Sequence, residues 1–262
     1  MLAFPQLPSG AAAQYPITKH RAQRTIVNTL PDGHTLTLAD PGAALTKWQL
    51  TYHTLADTEI AILEQFFATC EGQLNPFTFL DPLNNLLAWS EALEQAVWEA
   101  SSLLQMTAGI SDPTGGTAAT RITNPTGADL TLQQTINAPG WFSYCFSLYA
   151  RSQSDGGVAL SLQAGAASIN APYAIHTNWS RIQLSASLNT TAGMVSAGLV
   201  IPAGQSVDVF GFQLEPQPVP STYKRSLSAN GVYPDAHFGN DAFAFTTSAP
   251  NSHSCILTIT AR

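Results

Sequence analysis

Five side chains in the middle of the sequence have the types a sugar-binding surface needs: Trp141, Tyr144, Tyr173, His176 and Trp179. Aromatic faces stack on the apolar face of a pyranose ring, and neighbouring polar groups orient its hydroxyls. Trp179 opens an alternating segment, which favours a core anchor over a platform. Tyr173, between Pro172 and Ala174 in an expected loop, is the better surface candidate. Catalytic patterns are missing. His20, His34, His53, His176, His237 and His253 show no zinc spacing, and no nucleophile elbow, Walker loop or dinucleotide fingerprint occurs. Seventeen acids could supply a glycosidase pair, but no local pattern selects one, and Glu94 and Glu99 read as the solvated face of a helix. Asp112 and Asp208 are conceivable calcium ligands without an acidic cluster around them. Asp112, before Pro113, reads better as a turn cap. No catalytic residue, metal site or cofactor is assigned.

Composition narrows the function classes further. Hydrophobic residues make up 45% of 262, enough for a folded core, while charged residues reach only 10%. The surface must then be covered mostly by Ser, Thr, Asn, Gln and Gly, a poor basis for a charged catalytic cleft. The net charge of −7 argues against nucleic acid, since the only basic cluster is Lys19, His20, Arg21 and Arg24. Cys70, Cys145 and Cys255 are odd in number, widely spaced and set among apolar residues, so they read as buried thiols. No run approaches the roughly 18 to 20 apolar residues of a membrane span, and Met1 to Gly10 lacks the features of a signal peptide. The expectation is a protein made in a host cytoplasm and not inserted in a membrane.

These residues need elements to position them, and three textures appear along the chain. From Arg24 to Leu38 two alternating runs flank Pro31-Asp32-Gly33, a hairpin signal in which glycine supplies the positive φ. A separate strand is expected at Lys47–His53. A helix follows, with Thr54 and Asp57 as a capping box. Its buried face is Ile60, Leu63, Phe66, Phe67 and Cys70, and Gly72 is its stop. A short aromatic strand then ends at Asp81-Pro82. Between about 83 and 223 come short strands at Ala118–Thr123, Leu130–Ile136, Trp141–Arg151, Val158–Ala164, Trp179–Ser187, Val195–Ile201 and Ser206–Leu214. Turn residues separate them, as in a sandwich or jelly roll. One helix pattern lies at Ser90–Glu99. Strands at Asp241–Thr247 and Ser254–Thr260, joined by a turn at Pro250-Asn251-Ser252, are expected to rejoin the first segment's sheet.

The run Trp48-Gln49-Leu50-Thr51-Tyr52, Glu59, Leu63, Phe66-Phe67, Gly72 and Phe77-Thr78-Phe79-Leu80-Asp81-Pro82 resembles the distal-tail and minor-tail proteins of long-tailed phages. That resemblance implies a β-sandwich ring domain, commonly in six copies, joining the tail tube to the tip. The segments Asn85-Leu86-Leu87, Asp112 to Thr117, Phe142 to Arg151, Asn178 to Arg181, Val209 to Pro216 and Pro220 to Tyr223 are similar to the carbohydrate-binding-module jelly rolls of phage tail proteins. This second likeness implies a sugar ligand, a spacer or a contact surface.

The fold expected is therefore mainly β. Residues 1–82 and 224–262 would form a discontinuous tail-ring sandwich or barrel with one helix, and residues 83–223 an inserted jelly roll. The expected role is a non-enzymatic subunit of a virion's tail tip, partnered by copies of itself in a hexameric ring, by tail-tube and hub proteins, and by tail fibres or host glycans. One rival is a carbohydrate-binding adhesin. A more distant one is a glycan depolymerase, which needs a cleft with two acids.

Overall fold

The computed structural model describes all 262 residues and is mainly β, with sixteen strands and one helix. Two compact units share the chain. One is discontinuous, built from Leu2–Pro8, Ala12–Phe79 and Tyr233–Arg262. The other, the sandwich unit, comprises Met1, Ser9–Ala11 and Leu80–Val232.

The discontinuous unit contains β1 (Ile17–Thr29), β2 (Thr35–Leu55), α1 (Asp57–Thr69), β3 (Phe77–Leu80), β14 (Val232–Phe238), β15 (Phe245–Ala249) and β16 (Ser252–Ala261). Its sheet runs β1-β2-β16-β14-β3, with β15 on the side of β16. The C-terminal strand thus lies at the centre, against β2, as the sequence implied. Alternation decides what is buried. In β2, Trp48, Leu50 and Tyr52 point inward, and in β16 so do Cys255, Leu257 and Ile259. They meet Ile60 and Leu63 of α1 and an aromatic cluster of Phe4, Phe66, Phe77, Phe79 and Phe238. Each fully buried apolar side chain contributes about 1.5–3 kcal/mol.

Two local expectations change. The helix is capped at Ala56, not Thr54, and Glu59 supplies the bond, its carboxylate accepting the Ala56 N–H at 2.9 Å. Thr54 lies outside the helix with φ 52°, its hydroxyl spent on the His53 carbonyl. The expected strand at Lys47–His53 is not separate. It is the inner half of β2, whose outer half is the second strand of the hairpin.

That hairpin becomes an arm. β16 pairs with β2 only from Thr46 to Leu55, so beyond Thr46 the strand has β1 as its single neighbour. Residues 41–44 bulge opposite Gln23, and pairing resumes from Arg24 with Asp40 to Thr29 with Thr35. The turn at 30–34 closes with Leu30 N to His34 O at 2.8 Å, and Gly33 takes φ 85°. Every residue from Arg21 to Ala39 is exposed.

The sandwich unit has two five-stranded antiparallel sheets. Its strands are β4 (Glu99–Ala100), β5 (Gln105–Ile110), β6 (Ala119–Thr123), β7 (Leu130–Ile136), β8 (Ser143–Arg151), β9 (Gly156–Ala164), β10 (Ala167–Ile175), β11 (Ser180–Ser187), β12 (Val195–Ile201) and β13 (Ser206–Glu215). The first sheet is ordered β10-β9-β12-β7-β4 and the second β11-β8-β13-β6-β5. Their facing sides bury Leu132, Leu160, Leu162, Ala197 and Leu199 against Tyr144, Phe146, Leu148, Phe212 and Leu214. The helix expected at Ser90–Glu99 is absent. Successive turns replace it, with N–H to O bonds from Ala92 to Trp89, Gln95 to Ala92 and Trp98 to Gln95. The buried Gln134 side chain clamps both backbone groups of Ala88, at 2.8 and 2.9 Å, and the Trp98 indole donates to the Trp89 carbonyl. These bonds hold the segment against the sandwich in a path no helix could follow.

Candidate functional site

The outer faces of the two sheets have opposite fates. On the β8 sheet the outer face is covered by its own chain. Glu215 and Gln213 at the end of β13 draw down residues 217–224. The Glu215 carboxylate accepts from the Ser221 N–H and hydroxyl, from Lys224 Nζ at 2.9 Å and from Gln213 Nε2 at 2.8 Å. Burial alone would raise this carboxyl, but those donors outweigh it and hold it below the ordinary carboxylate range. Arg181 Nη1 donates to the Ser221 carbonyl at 2.6 Å, and Tyr223 packs on Phe210 with ring centroids 5.3 Å apart.

The outer face of the β9 sheet stays open, and its side chains follow from the register. One row across the strands reads Glu99, Gln133, Gly198, Ser161, Asn170, and the next reads Thr135, Ser196, Gln163, Ser168. Gly198 lets Gln133 and Ser161 close over the centre of the first row. A Cβ there would lie 2.8 Å from Ser161 Oγ and 3.0 Å from Gln133 Cβ. Over the second row and the 192–194 turn lies a groove of about 420 Å³ lined by Gln133, Thr135, Gln163, Met194 and Ser196. Gln133 Nε2 is held by Glu99 at 2.9 Å, and the Thr135 and Ser196 hydroxyls pair at 2.8 Å. Amides and hydroxyls in parallel rows offer both donors and acceptors, with no basic side chain among them. Such a surface suits hydroxyl groups of an uncharged ligand.

The predicted aromatic set does not form one platform. Tyr144 is wholly buried on the inner face of β8, its hydroxyl donating to Pro139 O at 2.7 Å, and burial pushes its pKa far up. No ligand reaches it. Tyr173 is not in a loop. It lies on β10 opposite the buried Val158, so it points to the inner side and donates to the Gln183 carbonyl of β11, closing the sandwich edge. The alternation that would have exposed β10 was hidden by Pro172 in the middle of it. Trp179 is half-buried beneath the Arg151 guanidinium, 4.7 Å from the ring centroid. His176 is exposed, with Nδ1 2.8 Å from Asp155. Trp141, 41% exposed in the turn before β8, meets Phe142 with the two rings perpendicular. Sequence reasoning missed the groove because glutamine, threonine and serine on alternate positions look like any solvated strand face.

The two acids that could have ligated calcium are occupied. Asp208 is clamped by Arg121 at 2.7 Å and Arg151 at 3.1 Å. Asp112 caps its own turn, as expected, accepting from Thr114 N and Oγ1, Gly116 N and Ala118 N. Burial raises its carboxyl, but these bonds win and bring it down to about 2. No group of three or more His, Cys, Asp or Glu is placed to hold a metal ion. All three cysteines are buried and free. No helix is long and apolar enough to cross a membrane.

No family model and no curated protein matches the chain. Solved structures similar to about half of it include a family 61 carbohydrate-binding module in complex with beta-1,4-galactotriose, at 15% identity, covering 50% of this chain and 97% of that one, with a TM-score of 0.39. The CBM22-1 xylan-binding domain from Paenibacillus barcinonensis Xyn10C is similar at 12% identity over 52% of this chain and 96% of its own, with a TM-score of 0.41. The enzymatically active domain of Bacteriophage CBA120 tailspike protein 4 is similar at 14% identity over 52% of this chain, with a TM-score of 0.40, but the match spans only 22% of that protein.

Proposed function

We propose that this protein is a non-catalytic structural subunit of a phage-type tail tip, in which the discontinuous unit assembles with neighbouring subunits and the sandwich unit presents a contact surface. The observation that carries this reading is the arm. A two-stranded ribbon is marginal in water unless a third layer covers its apolar side. Here Ile26, Leu36 and Leu38 share one face and are 37%, 47% and 46% exposed. A monomer has no use for such a face, whereas an assembled subunit does. The tail-tip setting follows from the resemblance of the Trp48–Pro82 run to distal-tail proteins. Non-catalysis is supported by the buried acids being held in ion pairs and caps, and by the groove carrying one carboxylate, Glu99, where glycoside hydrolysis uses two. Electron microscopy of particles carrying a labelled copy tests the assignment. We expect label at the distal end of the tail tube, and label confined to peripheral fibres, or to no particle, would overturn it.

A second reading, a carbohydrate-binding adhesin, is favoured by the open groove on the β9 sheet. Its ligand class is a neutral glycan, because the groove's polar groups are amides and hydroxyls. Glycan-array binding of the intact protein, lost in the double variant Gln133→Ala, Gln163→Ala, is the expected result. Binding that survives both substitutions would move the ligand elsewhere.

A further inference from the structure

The groove on the β9 sheet has a sense as well as a polarity. Gln133 turns its amide nitrogen to the Glu99 carboxylate at 2.9 Å, and Gln163 turns its own to the Gly165 carbonyl at 3.3 Å. A carboxylate and a carbonyl can only accept, so each partner fixes its amide with the nitrogen toward it. One N–H of each amide is thereby used, and each amide oxygen is left without a protein donor. The Thr135 and Ser196 hydroxyls bond to each other at 2.8 Å, so that pair keeps a single proton to give. Lone pairs outnumber spare protons, and the groove suits a ligand that donates.

The apolar part of the groove comes from one large side chain. Val195 at the start of β12 is fully buried in the sandwich, so alternation sends Met194 and Ser196 to the outer face. Met194 is 53% exposed and lines the groove, and the rest of its apolar lining is alanine and glycine. No aromatic and no charged side chain lines it. A sugar ring carries an apolar face of C–H groups and a rim of hydroxyls. A thioether on three rotatable bonds is polarisable and can follow that uneven face, where no aromatic ring is at hand to stack on it.

We propose that the groove takes a neutral glycan whose ring C–H groups pack on Met194 and whose hydroxyls donate to the Gln133 and Gln163 amide oxygens, and that it rejects uronic acids. The proposal rests on the adhesin reading and names how that site chooses its ligand. A uronate carboxylate can only accept, so it would face two amide oxygens with the Glu99 charge behind one of them, on a chain of net charge −7.

The test is titration calorimetry of the intact chain with mannan, dextran, laminarin and polygalacturonate. The wild type is expected to bind a neutral polymer at least about tenfold more tightly than polygalacturonate. Met194→Ala should weaken that binding about tenfold, and Met194→Leu, apolar and of similar size, should recover most of the loss. Gln163→Glu keeps the accepting oxygens and removes the donors, so it should bind the neutral polymer equally or more tightly. Gln163→Lys, which can only donate, should bind it about tenfold more weakly. Both side chains are exposed, so these changes leave the fold intact. Weaker binding in Gln163→Glu, unchanged binding in Met194→Ala, or a wild-type preference for polygalacturonate would each overturn the proposal and leave the groove a glycan site. A wild type that binds no neutral polymer would remove the adhesin reading along with it.

Discussion

The sandwich unit and the arm are both antiparallel β structure, yet they solve opposite problems. In the sandwich each strand has an inner face, and the two inner faces bury one another. One outer face is then sealed by residues 217–224 through Glu215, so that even polar groups are spoken for within the unit. The arm keeps both faces and both edges in water beyond Thr46. Its strands have the same β-branched and aliphatic composition, so composition does not separate the two cases. What separates them is whether a third strand or second layer arrives. For the sandwich it arrives from its own chain, and for the arm its own chain supplies none.

The sharpest way to break this contrast is to remove a residue from a closed core. Trp48 is fully buried against Phe79 and Tyr233, so Trp48→Ala should cost about 3–5 kcal/mol. Denaturation followed by fluorescence should show an early transition for the discontinuous unit and a later one for the sandwich unit. A single unshifted transition would mean the core is not organised as described. Next in size is Asp208→Asn. Asp208 is almost fully buried between two arginines that are each about a quarter exposed, and leaving them uncompensated should cost about 2–3 kcal/mol after allowance for that exposure. Replacing Asp155 beside the exposed His176 should cost little by the same thermal melt.

Acid should act selectively on the sandwich unit. Asp112 and Glu215 are held below their ordinary range in the folded protein. Their contribution is therefore fully present above the ordinary carboxylate pKa near 4 and is lost as pH falls through the lowered values, toward about 2 for Asp112. Denaturation midpoints measured between pH 5 and 2 should fall for the wild type and fall less steeply for Asp112→Asn, itself less stable at neutral pH. An unchanged slope would remove Asp112 from that role. The smallest expected effect lies on the arm. Leu36→Ser should alter the monomer's stability by no more than about 0.5 kcal/mol, because that side chain is already in water. A large loss there would show that the arm is packed by its own unit, and the contrast would fail.

Much of this was legible in the residues, and the exceptions share a cause. The strands at Leu130–Ile136 and Val195–Ile201 coincide with β7 and β12 because alternation in a sandwich is clean when one face is buried. The helix at α1 and the turn at Asn251, with φ 56°, were equally visible. β10 was missed because Pro172 sits in it, and β14 because Pro234-Asp235 interrupts its apolar pattern. The turns at Ser90–Glu99 carry a helical pattern, but the Gln134 clamp that overrides it comes from 46 residues away. Of the candidate site, the aromatic residues were read by type, and type could not say that Tyr144 faces inward and Tyr173 closes an edge. The groove depends on three strands aligning Thr135, Ser196 and Gln163 in one row, a fact of register that no single strand carries.

In the central sheet β3 and β14 are hydrogen-bonded neighbours, and residues 81–231 leave after the first and return before the second. Paired strands lie only about 4.8 Å apart. The ends of that long excursion are therefore already as close as the two sides of a tight turn. A gene with this arrangement can gain, swap or delete the intervening piece in one recombination event without changing any pairing in the sheet that remains. The inserted piece can thus diversify on its own evolutionary clock while the sheet that receives it stays constant.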